Sequence, residues 1–501
     1  MQEFQQIETP MGSSITIRTV TAQPADGVHG PEISNSSTNA IFDGEWFSIR
    51  RGYAIVGTTL AATPVGFART FAANGTTVQE TTLAFTASSI AFYNWNTAAW
   101  VEDATGATTT CNLLQPPTAV YVHGKGTYIA TAATTVLVAT NMHDGVAFAD
   151  ATNAPRTGIL RASHGYLLAF GIYVDAPTGA GCERYNEPSV RIGWSVRGNT
   201  SDWSNDSYFN FEDDGGGVLA AEKLPNGTFA VLRQNAISLV SYVGGRDEWA
   251  YQTPVSGIGG ASFRGHAMTP YGLFFLSDDF RFWAFDGQSV QEVWQEIRQQ
   301  IEDAHYADHF RYITMVYVWN EDAMYIFVPT ASTKRFHKYW RYSFKFKTWS
   351  PGKFYHGGYA VGALLSSNIS NTPLRGLLLS SINGTAYRCG GQNTDAGFAI
   401  TLMTESGWFH FPFLEVDWDR VLLESQGGTF RIAYSMTGTA WYDTTGAIGD
   451  TLVTPASATV FNRSIFSIHE PSERMKLRFT SHAATVRIRR ILPWIGEFNA
   501  Q

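Results

Sequence analysis

The chain has few charged side chains and very few cysteines. Asp, Glu, Lys and Arg make up 16% of its 501 residues, against about 25% in an ordinary soluble domain. The three cysteines, Cys111, Cys182 and Cys389, lie far apart and form no C-x-x-C pair. Neither a disulfide framework nor a zinc site is therefore expected. The net charge of −8 excludes a protein whose whole surface is built to hold nucleic acid.

Long apolar runs and a secretion signal are also missing. The sequence has no stretch of about 18 apolar residues, so we expect no membrane segment. The residues from Met1 to Gln6 lack the basic start and the apolar core of a signal peptide. These absences predict a soluble protein that is made in a reducing cytoplasm.

What the sequence does contain is typical of β-structure. It has 47 glycines, and aromatic residues account for 14% of the chain. Between residues 118 and 397, apolar runs come in pairs separated by a polar or glycine turn, such as 229–232 with 237–240 and 273–276 with 282–285. The pairs start roughly 40–60 residues apart, which is the period of four-stranded propeller blades. A sandwich or a barrel with long loops is the alternative.

We therefore predict an all-β chain with a β-propeller-like central domain over residues 116–397. A β-rich N-terminal region over residues 1–115 precedes it, with the option that this region supplies strands to the propeller. After residue 397 apolar and polar residues alternate, as at Met475, Leu477 and Phe479, which predicts a C-terminal β-sandwich over residues 398–501. A capping box at Ser289, followed by apolar residues at helical spacing, predicts one short helix near 290–304.

The sequence shows no constellation that is typical of an enzyme. The H-E-x-x-H, P-loop and nucleophile-elbow motifs are missing, and the glycine-rich segment 257–262 lacks the third glycine of a dinucleotide loop. The carboxylates at 212–214 and 278–279 occur beside glycine or in a hairpin, where Asp is an ordinary turn former. We accordingly expect no enzyme activity, no catalytic residue, no metal and no cofactor.

The strongest charge feature is a basic and aromatic segment at residues 334–353 that contains no Asp or Glu. Strand alternation over 341–347 would place its three aromatic side chains on one face and its three basic side chains on the other. This pattern is typical of contact with phosphate or an acidic partner, and the alternative is an edge strand that lysines protect from aggregation. The candidate interface residues, which include a second basic set near the C-terminus, are Lys334, Arg335, Lys338, Arg341, Lys345, Lys347, Arg487, Arg489 and Arg490.

Residues 190–295 carry a resemblance to a known family. The motifs occur in this order: Arg191-Ile192-Gly193-Trp194-Ser195, Ser201-Asp202-Trp203-Ser204, 217–219, 229–232, 236–240, 242–245, 257–259, 272–276 and 285–287. In that order they resemble the tail nozzle proteins of short-tailed phages, the tail tubular protein B or packaged-DNA-stabilisation class. The resemblance is weaker towards the C-terminus, where 487–491 is similar to the end of the family's sandwich, and the first 115 residues do not share it.

The resemblance implies a virion protein of the phage tail that is made in the host cytoplasm. It implies a ring of copies, a homo-hexamer, that encloses the DNA exit channel, helps to retain the genome and then releases it. The implied partners are other copies of the chain, a tail adaptor protein above the ring, and a tail fibre or needle protein around or below it. Genomic DNA would pass through the channel without sequence-specific contact.

Two other functions fit the same residues. The 15 Trp and 22 Tyr side chains could act as sugar platforms in a carbohydrate-binding or glycan-cleaving propeller, such as a receptor-binding protein, with Asp213 or Asp278 as a catalytic carboxylate. The other function is that of a virion or tail component outside the DNA path. A glycan-binding screen distinguishes a carbohydrate-binding propeller from a tail nozzle. The copy number per particle distinguishes a component outside the DNA path from a nozzle.

Overall fold

The computed structural model describes residues 5–6 and 39–500, with gaps of which the longest are 104–114, 140–147, 174–188 and 365–375. In this part of the chain almost all regular structure is β-strand. The strands are numbered here in chain order. Four of them come from the N-terminal region: β1 (Gln5–Gln6), β2 (Ala40–Asp43), β3 (Trp46–Ile49) and β4 (Gly52–Ile55).

Six four-stranded antiparallel sheets follow, and each is a blade of a propeller. Blade one contains β5 (Pro64–Asn74), β6 (Thr77–Thr86), β7 (Ile90–Asn94) and β8 (Ala99–Glu102). Blade two contains β9 (Thr118–Val122), β10 (Gly126–Ala130), β11 (Leu137–Ala139) and β12 (Ala149–Asp150). Blade three contains β13 (Thr157–Ser163), β14 (Tyr166–Ile172), β15 (Arg191–Trp194) and β16 (Tyr208–Asn210).

The next three blades have the same strand order. Blade four contains β17 (Val218–Lys223), β18 (Phe229–Arg233), β19 (Ala236–Tyr242) and β20 (Trp249–Ser256). Blade five contains β21 (His266–Thr269), β22 (Gly272–Leu276), β23 (Phe282–Phe285) and β24 (Val290–Val293). Blade six contains β25 (Thr314–Val318), β26 (Ala323–Pro329), β27 (Phe336–Ser343) and β28 (Thr348–Gly358).

Blade seven combines strands from both ends of the propeller sequence. Its first three strands are β29 (Val361–Leu364), β30 (Gly376–Ser380) and β31 (Ala386–Gln392), and the short strands β32 (Thr394–Asp395) and β33 (Phe398–Ala399) extend the sheet. The fourth strand is β4 from the N-terminal region, with Tyr53 opposite Cys389 and Ile55 opposite Tyr387. A strand from the start of the chain therefore completes the blade that is formed last.

The seven blades form a closed ring. First strands of successive blades contact each other at β5–β9, β9–β13, β13–β17, β21–β25 and β25–β29, and β29 contacts β5. Blades four and five pack through a shared cluster that includes Leu232, Leu273 and Phe275. The middle strands β14 and β18 are buried at every position, because neighbouring blades cover both of their faces. The propeller prediction is confirmed.

Two further sheets form the sandwich. One has the order β2-β3-β41-β36-β39, with β1 also on β41, and the other has the order β34-β40-β37-β38, with β35 also on β40. The strands not yet given are β34 (Leu402–Glu405), β35 (Phe409–His410), β36 (Leu414–Gln426), β37 (Phe430–Ser435), β38 (Thr451–Val453), β39 (Asn462–Ser472), β40 (Arg474–Ser481) and β41 (Arg487–Ala500). In β40 the predicted alternation is present, because Met475, Leu477 and Phe479 are buried in the core between the sheets.

The helix α1 (Gln295–Ala304) connects blades five and six, and a short 3-10 helix (Ala307–Tyr312) follows it. The helix buries Ile297 and Ile301, as the apolar spacing predicts. The capping-box interpretation is wrong, because residues 290–293 form β24, with Val290 opposite Phe285 in blade five. Neither helix of the described chain is long and apolar enough to cross a membrane.

Candidate interface and the cleft between propeller and sandwich

The structure divides the basic segment 334–353 into a strand, a turn and a second strand. Strand β27 ends at Ser343, residues 344–347 form a turn, and Lys347 has a left-handed φ of 55°. The predicted alternation over 341–347 is therefore wrong after Ser343, because the hairpin reverses the chain there. Lys345 and Lys347 lie exposed at the tip of this hairpin.

Arg341 is buried within blade six. Its side chain is 7% exposed, and its Nε donates a hydrogen bond of 3.2 Å to Oε2 of Glu321. The hydroxyl of Tyr325 donates to the same oxygen at 2.6 Å. This burial removes Arg341 from the basic side chains that a partner could reach.

The other candidate residues lie on two different parts of the molecule. Lys338 is exposed on β27, Arg335 is half-buried just before it, and Nζ of Lys334 lies 5.0 Å from the ring centroid of Tyr312. Arg487 is exposed on β41 of the sandwich. The side chains of Arg489 and Arg490 lie outside the described residues. The sequence therefore groups basic residues that the fold separates into a blade-six set and a sandwich set.

A cleft of about 770 Å³ lies between blade six and the sandwich, which is within the range of small-molecule pockets. The propeller contributes the polar side chains of Thr330, His337, Lys338 and Lys353. The other wall consists of Met403 of β34 in the sandwich, Ile400 and Thr401 just before that strand, and Ala399 of β33. Three further lining residues are Asn39, Arg50 and Asp395. Sequence reasoning missed this cleft, because its walls come from segments more than 300 positions apart.

Arg50 and Asp395 form a buried ion pair beside the cleft, with both side chains 3% exposed. Nη1 of Arg50 lies 2.8 Å from Oδ1 of Asp395, and Nη2 donates to Oδ2. Nη2 also donates to the carbonyl oxygen of Lys353 at 2.7 Å, and Nε donates to Oδ1 of Asn39 at 2.9 Å. These bonds tie the N-terminal segment to blade six and to β32 of the blade-seven sheet.

The central channel of the propeller is spanned by the side chain of Arg264. This residue precedes the first strand of blade five, and its Nη2 donates to the carbonyl oxygen of Val65 in blade one. Blades one and five are not neighbours in the ring, so the side chain reaches across the channel. Arg264 is 5% exposed, and burial lowers its pKa to about 10.

Glu222 links the first strands of blades three, four and five. Arg161 of β13 contacts Glu222 of β17 at 2.5 Å between Nη2 and Oε1, and Nε2 of His266 in β21 lies 3.6 Å from the same oxygen. Burial acts to raise the pKa of Glu222, but the charge of Arg161 and the contact with His266 outweigh it and lower the pKa to about 2. The group joins blades three, four and five.

The motif residues at 191–195 make structural contacts. Nε1 of Trp194 donates to Oε2 of Glu248 at 2.5 Å, and the hydroxyl of Tyr166 donates to Oε1 at 3.0 Å. The amide of Leu167 donates to Oγ of Ser195 at 3.1 Å. Trp194 therefore ties blade three to the last hairpin of blade four. No sequence motif points to Glu248, which lies 54 positions from Trp194.

Asp213, one of the two carboxylates named for the glycan-cleaving alternative, has structural partners. It forms an ion pair with the fully buried Arg233, and the hydroxyl of Thr253 donates to its Oδ2 at 2.8 Å. Burial acts to raise the pKa of Asp213, but these contacts and the amide of Gly215 hold it below its ordinary value. Among the residues that the structure describes, no group of three or more His, Cys, Asp and Glu could hold a metal.

Comparison with known proteins finds no matching family model and no matching curated protein. Among solved structures, the chain is similar to YCF48 bound to a D1 peptide (10% identity, TM-score 0.40, covering 71% of this chain and all of that one). It is also similar to YCF48 from Cyanidioschyzon merolae (8% identity, TM-score 0.40, covering 68% of this chain and 98% of that one). A third similar structure is PorZ, a surface component of the type-IX secretion system of Porphyromonas gingivalis (11% identity, TM-score 0.36, covering 84% of this chain and 52% of that one). The propeller assignment rests on the sheet order of this chain itself.

Proposed function

We propose that the chain is a structural component of a tailed-phage virion, namely the nozzle or hub ring of the tail. Such a ring encloses the DNA exit channel, helps to retain the genome and then releases it. The observation that carries the proposal is the ordered set of motifs over 190–295, which resembles the tail nozzle class. These motifs occur in blades three to five, and Trp194 uses its contact with Glu248 to join two of those blades.

In this proposal DNA passes through the opening of a ring of subunits, and not through the propeller of one subunit. A channel that one arginine side chain spans, as Arg264 does, is too narrow for duplex DNA. Repeated contacts between unlike surfaces of successive copies close such a ring. A neutral or acidic lumen favours sliding, because attractive phosphate contacts would retard the DNA, and the net charge of −8 agrees with this requirement.

The exposed lysines of the blade-six hairpin are the proposed contact with an adjacent copy or a tail partner. Lys345 and Lys347 project from a turn, outside the blade core. Charged side chains in such positions steer association and select partners without taking part in folding.

A second candidate function is carbohydrate binding, as in a receptor-binding protein. Tyr271 and Trp319 are 54% and 57% exposed in the first hairpin turns of blades five and six. The ring of Tyr271 stacks on Phe344 with centroids 4.6 Å apart, and its hydroxyl donates to Oδ2 of Asp322 at 3.1 Å. Exposed aromatic faces beside a carboxylate acceptor match the apolar face and the hydroxyl groups of a sugar.

The copy number in purified phage particles tests the nozzle proposal. We expect quantitative mass spectrometry to find about six copies for a portal of about twelve, as a closed ring of this symmetry requires. A different ratio would favour a component outside the DNA path, and absence from particles would contradict a virion role. A glycan-binding screen then tests the second candidate: Trp319→Ala should abolish any signal, while the matched change Tyr306→Ala, at another exposed aromatic residue, should retain it.

A further inference from the structure

Two lysines face each other in the cleft between blade six and the sandwich. Lys338 on β27 and Lys353 on β28 are direct cross-strand partners, and both are exposed lining residues of the cleft. Like charges directly opposite each other destabilise a pair of strands. An oppositely charged group between the two ammonium groups would remove this repulsion.

The chain itself supplies no such group in the described structure. Asp395 is the only carboxylate among the lining residues, and Arg50 engages both of its oxygens. Neither Lys338 nor Lys353 has an ion-pair or hydrogen-bond partner for its ammonium group among the described residues. Because the charges of Arg50 and Asp395 cancel each other, the ammonium groups of Lys338 and Lys353 give the lining of the cleft a net positive charge.

The remaining lining residues suit a polar ligand. His337 lies next to Lys338 on β27, and burial lowers its pKa, which the charges of Lys353 and Arg335 lower further. The hydroxyls of Thr330 and Thr401 can donate hydrogen bonds, and Ile400 with Met403 provides an apolar wall. The lining thus combines positive charge, neutral donors and a small apolar surface.

We propose that this cleft binds a small ligand that carries phosphate or carboxylate groups. The anionic group lies between the Nζ atoms of Lys338 and Lys353 and removes their repulsion, and the apolar wall contacts the rest of the ligand. Ammonium groups act as point charges without a fixed fork geometry, so they accept both kinds of oxyanion. The volume of about 770 Å³ admits a whole small molecule rather than a single ion. The proposal does not depend on a role in the virion.

Titration calorimetry on the full chain tests the proposal, with pyrophosphate and citrate as the two probes at constant ionic strength. Lys338→Met/Lys353→Met removes both charges and keeps the length of the side chains. The matched control is Lys345→Met/Lys347→Met, which removes two exposed lysines of the same blade outside the cleft. We expect the cleft variant to lose at least about tenfold in affinity and the control variant to stay within about twofold of the unchanged chain.

The two probes identify the source of the anionic group. Tighter binding of pyrophosphate indicates a phosphate ligand, and tighter binding of citrate indicates a carboxylate ligand. Equal loss of affinity in the two double variants, or no binding of either probe, would overturn the proposal. Thermal unfolding verifies that each variant is folded. If the double variant does not fold, the single changes Lys338→Met and Lys353→Met replace it, and unchanged affinity in both would equally overturn the proposal.

Discussion

Arg50 donates two hydrogen bonds to the carboxylate of Asp395, which lies 345 positions further along the chain. The pair is buried where three parts of the molecule meet: the segment that joins β3 of the sandwich to β4, blade six, and β32 of the blade-seven sheet. It therefore helps to fix the position of the sandwich relative to the propeller.

We expect the single changes Arg50→Met and Asp395→Asn each to lower the free energy of unfolding by about 3–5 kcal/mol, because each leaves a buried charge without its partner. The double change Arg50→Met/Asp395→Leu should cost less than the sum of the two. Urea unfolding measures the effect. Arg281→Met is the control, since Arg281 and Asp279 are 42% and 52% exposed in their ion pair, which should contribute about 0–1 kcal/mol. Equal effects at Arg50 and Arg281 would contradict the prediction.

The contacts of Glu222 predict a loss of stability at low pH. Its pKa falls from an ordinary value of 4.5 to about 2 in the folded chain, so its contribution is fully present above pH 4.5 and is lost as the pH falls through about 2. The shift corresponds to roughly 3 kcal/mol. Unfolding midpoints at several pH values between 2 and 7 should therefore fall less steeply in Glu222→Gln than in the unchanged chain. Glu212→Gln, at an exposed carboxylate, should leave the slope unchanged.

Gly259 lies where two backbone segments approach closely. A Cβ at this position would lie 2.2 Å from the carbonyl oxygen of Gln234 and 2.4 Å from that of Arg233, and neither backbone group can rotate away. We expect Gly259→Ala to destabilise the chain by about 3 kcal/mol, measured by thermal unfolding. Gly265→Ala is the milder comparison, because its nearest neighbour is a side-chain atom, Oγ of Ser262, at the longer distance of 3.0 Å. Unfolding temperatures that do not distinguish the two variants would argue against a close backbone approach.

The basic residues of blade six should separate into those that stabilise the blade and those that contact a partner. Arg341→Met leaves Glu321, which also accepts a hydrogen bond from Tyr325, without its cation, and we expect it to lower stability by about 2–3 kcal/mol. Lys345→Glu/Lys347→Glu should leave thermal unfolding of the monomer unchanged but block tail assembly. A complementation assay with phage that lack the wild-type chain measures this. Normal assembly of the double variant would remove these lysines from the proposed interface.

Features that repeat locally could be predicted from the sequence. The hairpin 229–232 with 237–240 forms the two middle strands of blade four, because apolar runs and turns a few residues apart determine a hairpin. The alternation at Met475 and Phe479 was sufficient to identify a half-buried strand. The turn at 344–347 was not predictable, because it lacks Gly, Pro and Asn and continues the aromatic and basic pattern of the strand before it.

Features that depend on distant pairings could not be predicted. The pairing of Tyr53 with Cys389 and the contact of Trp194 with Glu248 depend on how blades are placed beside each other. The same limit applies to the cleft: the sequence identified Lys338 as a candidate, but the opposite wall belongs to the sandwich. A single sequence shows the local spacing of apolar residues. The register between distant strands is determined only by the packing of the complete chain.

The origin of the fourth strand of blade seven has a consequence for the order of events during synthesis. Strand β4 leaves the ribosome early, but its partner β31 (Ala386–Gln392) is made roughly 330 residues later, which takes about 15–70 s at ordinary elongation rates. During that interval β4 has unpaired backbone groups, and such strand edges promote misassembly between chains. The ring can therefore close only after β31 has left the ribosome, and until then the open edge of β4 is available for pairing with another chain.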